Sequence, residues 1–449
     1  MSQGIQIKKG LDIKLKGDAE KVTEQASTSK VFTIKPEDFH SIIPKLSVKI
    51  GAKVKAGEAV FYNKANEEMK FPSPVSGEII DIIRGEKRKI LAIKISAEND
   101  QQFVDFGKKD PKAMKADEIK SHLLAAGCWP FIKQRPYDVI AKPSNTPKAI
   151  FVSGYASAPL AADFNYVLAG KEKELQAAVT ALSKLTSGSV HVSVGKNDNS
   201  PFAGLDNISL HKVSGPHPIG NVGTQIAKID PVNKGEVVWT INPQDLVIIG
   251  ELLLTGKFHA ERIIALAGSS VAAPKYYKTI IGASIASLVE GKLKGDNNRI
   301  ISGNVLTGRT KSLKGSFGFY DTMITVIPEG NDYEMFGWNL PVFNKISTSR
   351  ALTFSWLFPN KKFDLNTNTN GEHRAFVVTG NYEEVFPLDI YPMQILKACM
   401  YKDLDEMEQL GMYEVAPEDF ALTEFVCVSK QPHQEIIRKG LDLMLKEIG

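Results

Sequence analysis

The stretch NKANEEMKFPSPVSGEII, residues 63–80, says most about the fold of the N-terminal part of the chain. Pro72 and Pro74 fix an extended backbone, and Gly77 permits the turn into the apolar segment EIIDII. The basic connection RGEKRK (84–89) then leads into KILAIKI, where apolar residues lie on one face of an extended segment. This order predicts a module of short paired strands, with residues 84–89 as a solvated hairpin tip or, alternatively, a contact with anionic lipid or a partner.

The same stretch resembles the hairpin of lipoyl and biotinyl carrier domains, where one lysine at the tip is modified. In lipoyl domains about four residues separate D-K-A from P-S-P, whereas six residues separate the NKA that contains Lys64 from Pro72. The other candidate, Lys70, directly precedes Phe71 and Pro72 and is expected in or beside a strand. We therefore expect neither lysine at the tip that a modifying ligase recognises, and a carrier modified at Lys64 or Lys70 remains the alternative function.

Length and charge restrict the functional classes. The 449 residues suffice for two to four domains. The net charge of +4 comes from 55 basic and 51 acidic residues and includes no basic stripe with interleaved aromatics, so nucleic acid is not an expected partner. The longest apolar runs are too short for a membrane span, and the N-terminus has no apolar signal core. These features predict a cytoplasmic chain that could still dock onto a membrane complex.

Strand and helix patterns alternate between residues 148 and 255. KAIFVSGY, SVHVSVG and ISLHKVSG are typical of strands, and GKEKELQAAVTALSKL of a helix. Such strand–helix–strand units predict a parallel, Rossmann-like α/β sheet. The loop SGYASAP (153–159) lacks the glycines that let a backbone approach a pyrophosphate. GNVGT (220–224) is a weak ligand signal, and His217 is expected to bond backbone rather than a ligand.

The sequence pattern in the last third of the chain changes from strands to a loop and then to helices. RIIALAG, RIISGNVLTG and TMITVIP predict further strands between residues 262 and 330, and 361–373 is expected to be a flexible loop. PMQILKACMYKDLDEMEQLG and PHQEIIRKGLDLMLKEI predict two C-terminal helices.

Residues 126–136, AGCWPFIKQRP, form the candidate site. Trp129 and Phe131 offer flat apolar surface beside the donors Lys133 and Arg135. Such a grouping suits a planar ligand with carbonyl oxygens, such as a quinone. The alternative is an apolar interdomain linker in which Arg135 pairs with a carboxylate.

Metal and nucleotide chemistry receive no support from motifs. The three cysteines, Cys128, Cys399 and Cys427, are far apart, and no C-x-x-C occurs. The eight histidines form no H-E-x-x-H, and no phosphate-binding G-x-x-x-x-G-K-[ST] loop or G-x-S-x-G elbow is present. No catalytic residue and no metal ligand is therefore predicted.

Several blocks together resemble one family. In chain order they are IQIKKGLDIKLKG, FPSPVSGEIIDIIRGEKRK, VSGPHPIGNVGTQIAKIDPV, LLLTGKFHAERIIALAGSSV, RIISGNVLTG and GNYEEVFPLDIYP. They look like the A subunits of the Na+-translocating NADH:quinone reductases, and more distantly like the C subunit of the Rnf complex and the NADH-oxidising flavoprotein subunit of complex I. The resemblance implies an α/β multidomain chain: a lipoyl-like barrel-sandwich domain (1–110), a Rossmann-like α/β domain (111–260), a β-grasp (SLBB-like) domain (261–335), and a loop-rich segment with a C-terminal helical bundle (336–449).

The resemblance also implies what the chain does. It would be a peripheral subunit, not catalytic alone, of a complex that transfers electrons from NADH to quinone and exports Na+. Its partners would be subunits B to F, at the cytoplasmic face of the bacterial inner membrane; an Rnf-type subunit is an alternative. Where the distant relatives have a flavin loop GxGGAGFPT this chain has AGCWPFIKQRP, and where they have cysteine clusters only Cys427 remains. We therefore expect no flavin, no iron–sulfur cluster and no covalently bound cofactor, with quinone as a possible ligand.

Overall fold

The computed structural model describes residues 4–197, 199–330, 335, 343–348 and 353–449. Short strands at the N-terminus form two small antiparallel sheets, ordered β3-β9-β8-β5 and β4-β6-β7. The first two strands leave this barrel to pair with later parts of the chain. The strands are β1 Gly4–Gln6, β2 Glu20–Gln25, β3 Val31–Ile34, β4 Pro44–Leu46, β5 Lys53–Val54, β6 Ala59–Asn63, β7 Asn66–Pro72, β8 Gly77–Arg84 and β9 Ile90–Ala97.

Close backbone approach explains Gly77 better than a turn does. A Cβ at this position would lie 2.0 Å from the carbonyl oxygen of Ser96 on β9, so only glycine fits where β8 meets β9. The hairpin tip predicted at 84–89 is confirmed, since β8 ends at Arg84 and β9 begins at Ile90.

The expectation for Lys64 is wrong. Asn63 of β6 pairs with Asn66 of β7, which leaves Lys64 and Ala65 as the turn of this hairpin. The two extra residues lengthen the paired strands and keep the lysine at the tip. Lys70 lies within β7, as expected.

A seven-stranded sheet forms the second unit, in the order β1-β14-β13-β12-β15-β10-β11. Its central strands are parallel, as predicted, but β10 runs antiparallel to β15. The elements are α1 Ala116–Ala125, β10 Lys133–Arg135, β11 Val139–Ile140, β12 Ala149–Ser153, α2 Phe164–Val167, α3 Glu172–Leu182, β13 Val190–Gly195, β14 Ser209–Ser214, α4 Val222–Ile229, β15 Val238–Thr240 and α5 Pro243–Thr255.

Residues 126–136, for which the sequence left an interdomain linker as the alternative, contain regular structure. A 3-10 helix, Trp129–Phe131, is followed by β10, whose Lys133 and Arg135 pair with Thr240 and Val238 of β15. Three residues are enough to form strand β10 because its pairing partner β15 is already fixed in the sheet. So short a strand has no periodic sequence pattern that would predict it.

The third unit is a six-stranded sheet in the order β19-β18-β20-β16-β17-β2, and helices follow it at the C-terminus. Its elements are β16 Glu261–Ala267, β17 Lys275–Ile280, α6 Ile285–Val289, β18 Asn298–Ser302, β19 Arg309–Lys311 and β20 Met323–Pro328. The C-terminal helices are α7 Asn381–Val385, α8 Pro392–Tyr401, α9 Leu404–Gln409, α10 Ala421–Phe425 and α11 His433–Ile448. Residues 336–342 and 349–352 of the predicted loop-rich segment lie outside the described residues.

The helix predicted from PMQILKACMYKDLDEMEQLG is two helices, α8 and α9. Lys402 adopts a left-handed conformation with φ of 61°, which ends α8. The carboxylate of Asp403 then accepts the backbone N–H of Glu406 at 3.0 Å and starts α9. The apolar period continues across this side-chain cap, so periodicity alone did not show that the run forms two helices.

Aromatic rings join the barrel to the other units. Phe39 of the barrel contacts Phe71 and Phe319 with ring centroids 4.4 and 4.6 Å apart. Phe319 in turn stacks on Phe131 of the candidate segment at 4.9 Å. These buried contacts fix the relative positions of three units around residues 126–136.

Candidate functional site

A large cavity lies at the carboxyl ends of β12 and β15. It has a volume of about 1110 Å3, and its lining includes Ser153 at the end of β12 and the loop that follows, together with Thr240 at the end of β15 and Asn242 after it. From β12 the chain continues to β13 on one side, whereas β15 lies on the other side. The cavity therefore occupies the point where strand order reverses, which is the usual ligand position in open α/β sheets.

The other units complete the walls of the cavity. The barrel contributes Asp38 and His40, the third sheet contributes Arg309 and Tyr320, and the C-terminal helices contribute Arg438. A pocket at the meeting point of several units is a common binding-site arrangement.

Three of the four predicted site residues line this cavity: Phe131, Lys133 and Arg135. The fourth, Trp129, is fully buried beside it. The indole Nε1 of Trp129 donates to the carbonyl oxygen of Ala141 at 2.7 Å, so this ring fixes the segment from behind.

Phe131 and Lys133 present an aromatic face and a donor to the cavity. Phe131 and Phe319 stack with an interplanar angle of 18°. The Lys133 ammonium lies 4.4 Å from the centre of the Tyr320 ring and 4.0 Å from Oδ1 of Asp138. Because that carboxylate is at the limit of ion-pair distance, the lysine retains N–H groups for a ligand.

Arg135 is engaged by protein acceptors instead. Its Nη1 donates to Oδ2 of Asp419 at 2.6 Å and to the carbonyl oxygen of Glu414 at 2.8 Å, and its Nη2 donates to Oε1 of Glu418 at 3.0 Å. Burial opposes its charge, but Asp419 and Glu418 raise its pKa above the ordinary value. The carboxylate pairing considered from the sequence is therefore present, and it ties β10 to the C-terminal helices.

Among the acidic groups of the lining, Glu418 and Asp245 have pKa values raised towards neutrality. Burial, with a further contribution from Asp419, raises the pKa of Glu418 to about 7, although Arg135 opposes the shift. Burial raises the pKa of Asp245 to about 6 against the effect of Arg262, with which it forms a buried ion pair. Carboxyl groups that change protonation near neutrality are typical of functional clefts and of structural ion pairs alike.

His217 bonds a side chain rather than the backbone that we expected. Its Nδ1 lies 2.9 Å from Oγ of Ser157, which lines the cavity and also accepts the backbone N–H of Gly220. Burial lowers the pKa of His217 to about 4, so the ring is neutral near pH 7. This pair shapes the loop that borders the cavity.

Several lining residues gave no signal in the sequence, among them Asp38, Asp245, Arg309 and Arg438. They come from four separated segments that only the tertiary structure brings together. An acidic residue in the first turn of an apolar helix is favourable, so Asp245 is consistent with the start of α5, but that pattern does not indicate a site.

Metal ligands do not cluster in the described part of the chain. No group of three or more histidine, cysteine, aspartate or glutamate side chains is arranged to hold a metal ion there. Cys128, Cys399 and Cys427 are buried and unpaired with one another.

Across the described ranges, no helix combines the length and apolar character that crossing a bilayer requires.

Three domain models of one family match the chain in order. The NqrA N-terminal barrel-sandwich hybrid domain matches residues 5–98, the NqrA second alpha/beta domain matches 114–258, and the NQRA C-terminal domain matches 263–312. They agree with the barrel and the α/β sheet found at those positions.

Curated relatives match over nearly the whole chain. The A subunit of the Na(+)-translocating NADH-quinone reductase of Haemophilus influenzae is 37% identical, covering 99% of this chain and 100% of the relative. The proteins of the same name from Neisseria meningitidis serogroup B and Cellvibrio japonicus are each 36% identical, covering 99% and 97% of this chain and 100% and 98% of the relatives. An NAD+-reducing [NiFe]-hydrogenase structure overlaps with 49% of this chain and 48% of its own at 13% identity, but its TM-score of 0.34 is too low to support any conclusion.

Proposed function

The chain belongs to the NqrA family, the A subunits of the Na+-translocating NADH-quinone reductases, as its sequence blocks indicated, and from this membership we propose how it works. It is a peripheral subunit of a complex that transfers electrons from NADH to quinone and exports Na+. It provides docking surfaces and a contact for quinone, while other subunits carry the redox groups. The end-to-end match, 37% identity over 99% of the chain, carries this proposal. The relatives lend no support to the carrier alternative.

The quinone contact is proposed at the cavity wall formed by residues 129–135. A quinone needs a flat apolar surface for its ring and donors for its carbonyl oxygens. The stacked rings of Phe131 and Phe319 supply the surface, and the ammonium of Lys133 supplies a donor. Arg135 and Trp129 hold the segment in place through their buried hydrogen bonds.

We propose that this chain holds no flavin, iron–sulfur cluster or covalent cofactor. A flavin phosphate is usually held by backbone N–H groups of a glycine-rich loop. In the segment that replaces such a loop, the N–H groups of Phe131 and Ile132 donate to the carbonyl oxygens of Cys128 and Trp129. These engaged donors support the proposal, as does the burial of the three separated cysteines.

Partners and location follow from the family. The chain would dock onto subunits B to F at the cytoplasmic face of the bacterial inner membrane. We further propose that its domains divide near residues 110, 260 and 335.

Photoaffinity labelling of the assembled complex with a quinone analogue tests the proposed contact. We expect label in this chain near residues 129–135, with labelling reduced about tenfold by Lys133→Met, which removes a charged donor. Lys292→Met is the matched control, since the Lys292 ammonium also lies over a ring, 4.0 Å from the centre of Tyr277, and Lys292 is not a lining residue. Label confined to other subunits, with unchanged quinone affinity in Lys133→Met and Phe131→Leu, would refute the contact.

A further inference from the structure

An exposed apolar segment lies between the third sheet and the C-terminal helices. Its large side chains remain substantially open to solvent: Phe354 37%, Trp356 48%, Leu357 51% and Phe358 48%. A 3-10 helix, Ser355–Leu357, presents them within a single turn. The ring of Phe343, itself 61% exposed, lies 6.4 Å from that of Phe354. Contiguous exposed aromatics of this kind mark a contact surface rather than ordinary surface apolarity.

Backbone pairing holds this segment beside a basic stretch of the N-terminus. The N–H of Phe363 donates to the carbonyl oxygen of Lys14 at 2.8 Å, and the N–H of Lys16 donates to that of Phe363 at 2.9 Å. The Lys14 ammonium donates to the carbonyl oxygen of Pro359, directly after the apolar residues. The position of the segment is therefore fixed by the fold.

Lysines predominate around the exposed rings. Lys14 and Lys16 contribute from the N-terminal stretch, and Lys361 and Lys362 follow Pro359. Within the described residues of 12–18 and 343–364, the acidic side chains are Asp12, Asp18 and Asp364, of which Asp18 pairs with Lys362. With Lys345 included, five lysines stand against these three carboxylates, so the described part of the rim has a positive balance.

We propose that residues 354–358 and their lysine rim are a contact surface for the anionic face of a lipid bilayer. Tryptophan and phenylalanine are favoured at the boundary between headgroups and acyl chains, and lysines beside them bind anionic headgroups. The proposal rests on the proposed function, because a chain docked on a membrane complex lies next to such a surface.

The composition favours lipid over a protein partner. Aromatic residues are enriched in both kinds of interface, but lysine is depleted between proteins and enriched where proteins meet anionic membranes, so the lysines favour lipid. A bilayer also accepts several half-exposed rings without a complementary pocket for each one.

Vesicle co-sedimentation of the full chain tests this surface, with vesicles of equal parts phosphatidylcholine and phosphatidylglycerol. We expect binding that weakens with added salt and falls at least about tenfold in W356A/F358A, because two large apolar side chains are removed. K16Q/K362Q should lower binding to these vesicles about tenfold and leave any binding to pure phosphatidylcholine unchanged. Y401A, which removes an aromatic ring 83% exposed on α8, is the control and should bind normally.

Tryptophan fluorescence provides a second measurement, made on the unaltered chain, that does not depend on the W356A/F358A variant. Addition of the anionic vesicles should shift the emission of the unaltered chain to the blue, and W356F should bind vesicles without that shift. Equal binding of W356A/F358A and the unaltered chain, or no binding by either, overturns the inference. If W356A/F358A instead loses only its place among the membrane subunits in lipid-free detergent, the surface contacts protein and the bilayer proposal is wrong. The proposed family function has a separate test. It is wrong if the assembled complex that contains this chain shows no Na+-dependent NADH:quinone activity.

Discussion

Arg135 and Asp419, 284 residues apart in the sequence, form a buried ion pair with 2.6 Å between Nη1 and Oδ2. The pair joins β10, which lies next to the edge strand β11 of the α/β sheet, to the 3-10 helix Pro417–Phe420 before α10. It therefore closes one wall of the cavity against the C-terminal helices.

Arg135→Met should destabilise this junction strongly. The substitution leaves the buried carboxylate of Asp419 without its cation, at a cost of about 3–5 kcal/mol in the free energy of unfolding. The double variant Arg135→Met/Asp419→Leu should regain part of that loss, because the fully buried charge of Asp419 is gone and the remaining partner, Glu418, is partly exposed to solvent. Urea unfolding of the purified chain measures both. Lys439→Ala, which breaks an exposed pair with Glu435, is the control and should cost at most about 0.5 kcal/mol.

Gly223 allows α4 to approach the same ion pair. A Cβ there would lie 2.3 Å from Oδ1 of Asp419 and 2.5 Å from Nη1 of Arg135. Glycine to alanine inside a helix normally stabilises by about 1 kcal/mol, so Gly223→Ala should show the opposite sign. Thermal unfolding would reveal a lower midpoint; a raised midpoint would mean that the close approach is wrong.

Acid sensitivity should depend on His433. This side chain is buried, its Nδ1 lies 2.9 Å from Oγ1 of Thr423, and burial lowers its pKa to about 4. Between about pH 6.5 and pH 4 the unfolded chain binds the proton and the folded chain does not, so stability falls as the pH falls. His433→Gln should remove up to about 3 kcal/mol of that fall. His373→Gln, at an exposed position, should leave the pH profile unchanged.

The isolated chain should be colourless. The N–H donors of residues 131 and 132 are already used within their own segment, and the cysteines lie apart in the core. The absorption spectrum of the purified chain should therefore contain the protein band alone. Flavin bands or the broad visible absorption of an iron–sulfur cluster would contradict this expectation.

Local pattern was sufficient for much of the fold. The segment KADEIKSHLLAAG (115–127) combines a helical apolar period with a glycine stop signal, and α1 ends just before Gly127, which has a φ of 70°. The strands β12, β13 and β14 and the helix α11 also lie where periodicity predicts them. These elements could be predicted because the apolar period or the stop signal of each one lies within a few consecutive residues.

Tertiary pairing decided the elements that local pattern missed. β10 is a strand because β15 pairs with it, and Lys64 lies at the hairpin tip because Asn63 and Asn66 on either side of the turn are paired. Residues 126–136 were selected as a candidate site from their composition alone, yet the partners of Arg135 come from residues beyond 410. A contact of that separation leaves no trace in a single sequence.

Affinity purification of the tagged chain from its native membranes, after mild detergent extraction, tests the central claim most directly. The chain should co-purify with membrane-embedded subunits as an assembly that oxidises NADH with quinone, at a rate stimulated by Na+. Recovery of the chain alone, or of an assembly without Na+-stimulated NADH:quinone activity, would contradict its role in this complex.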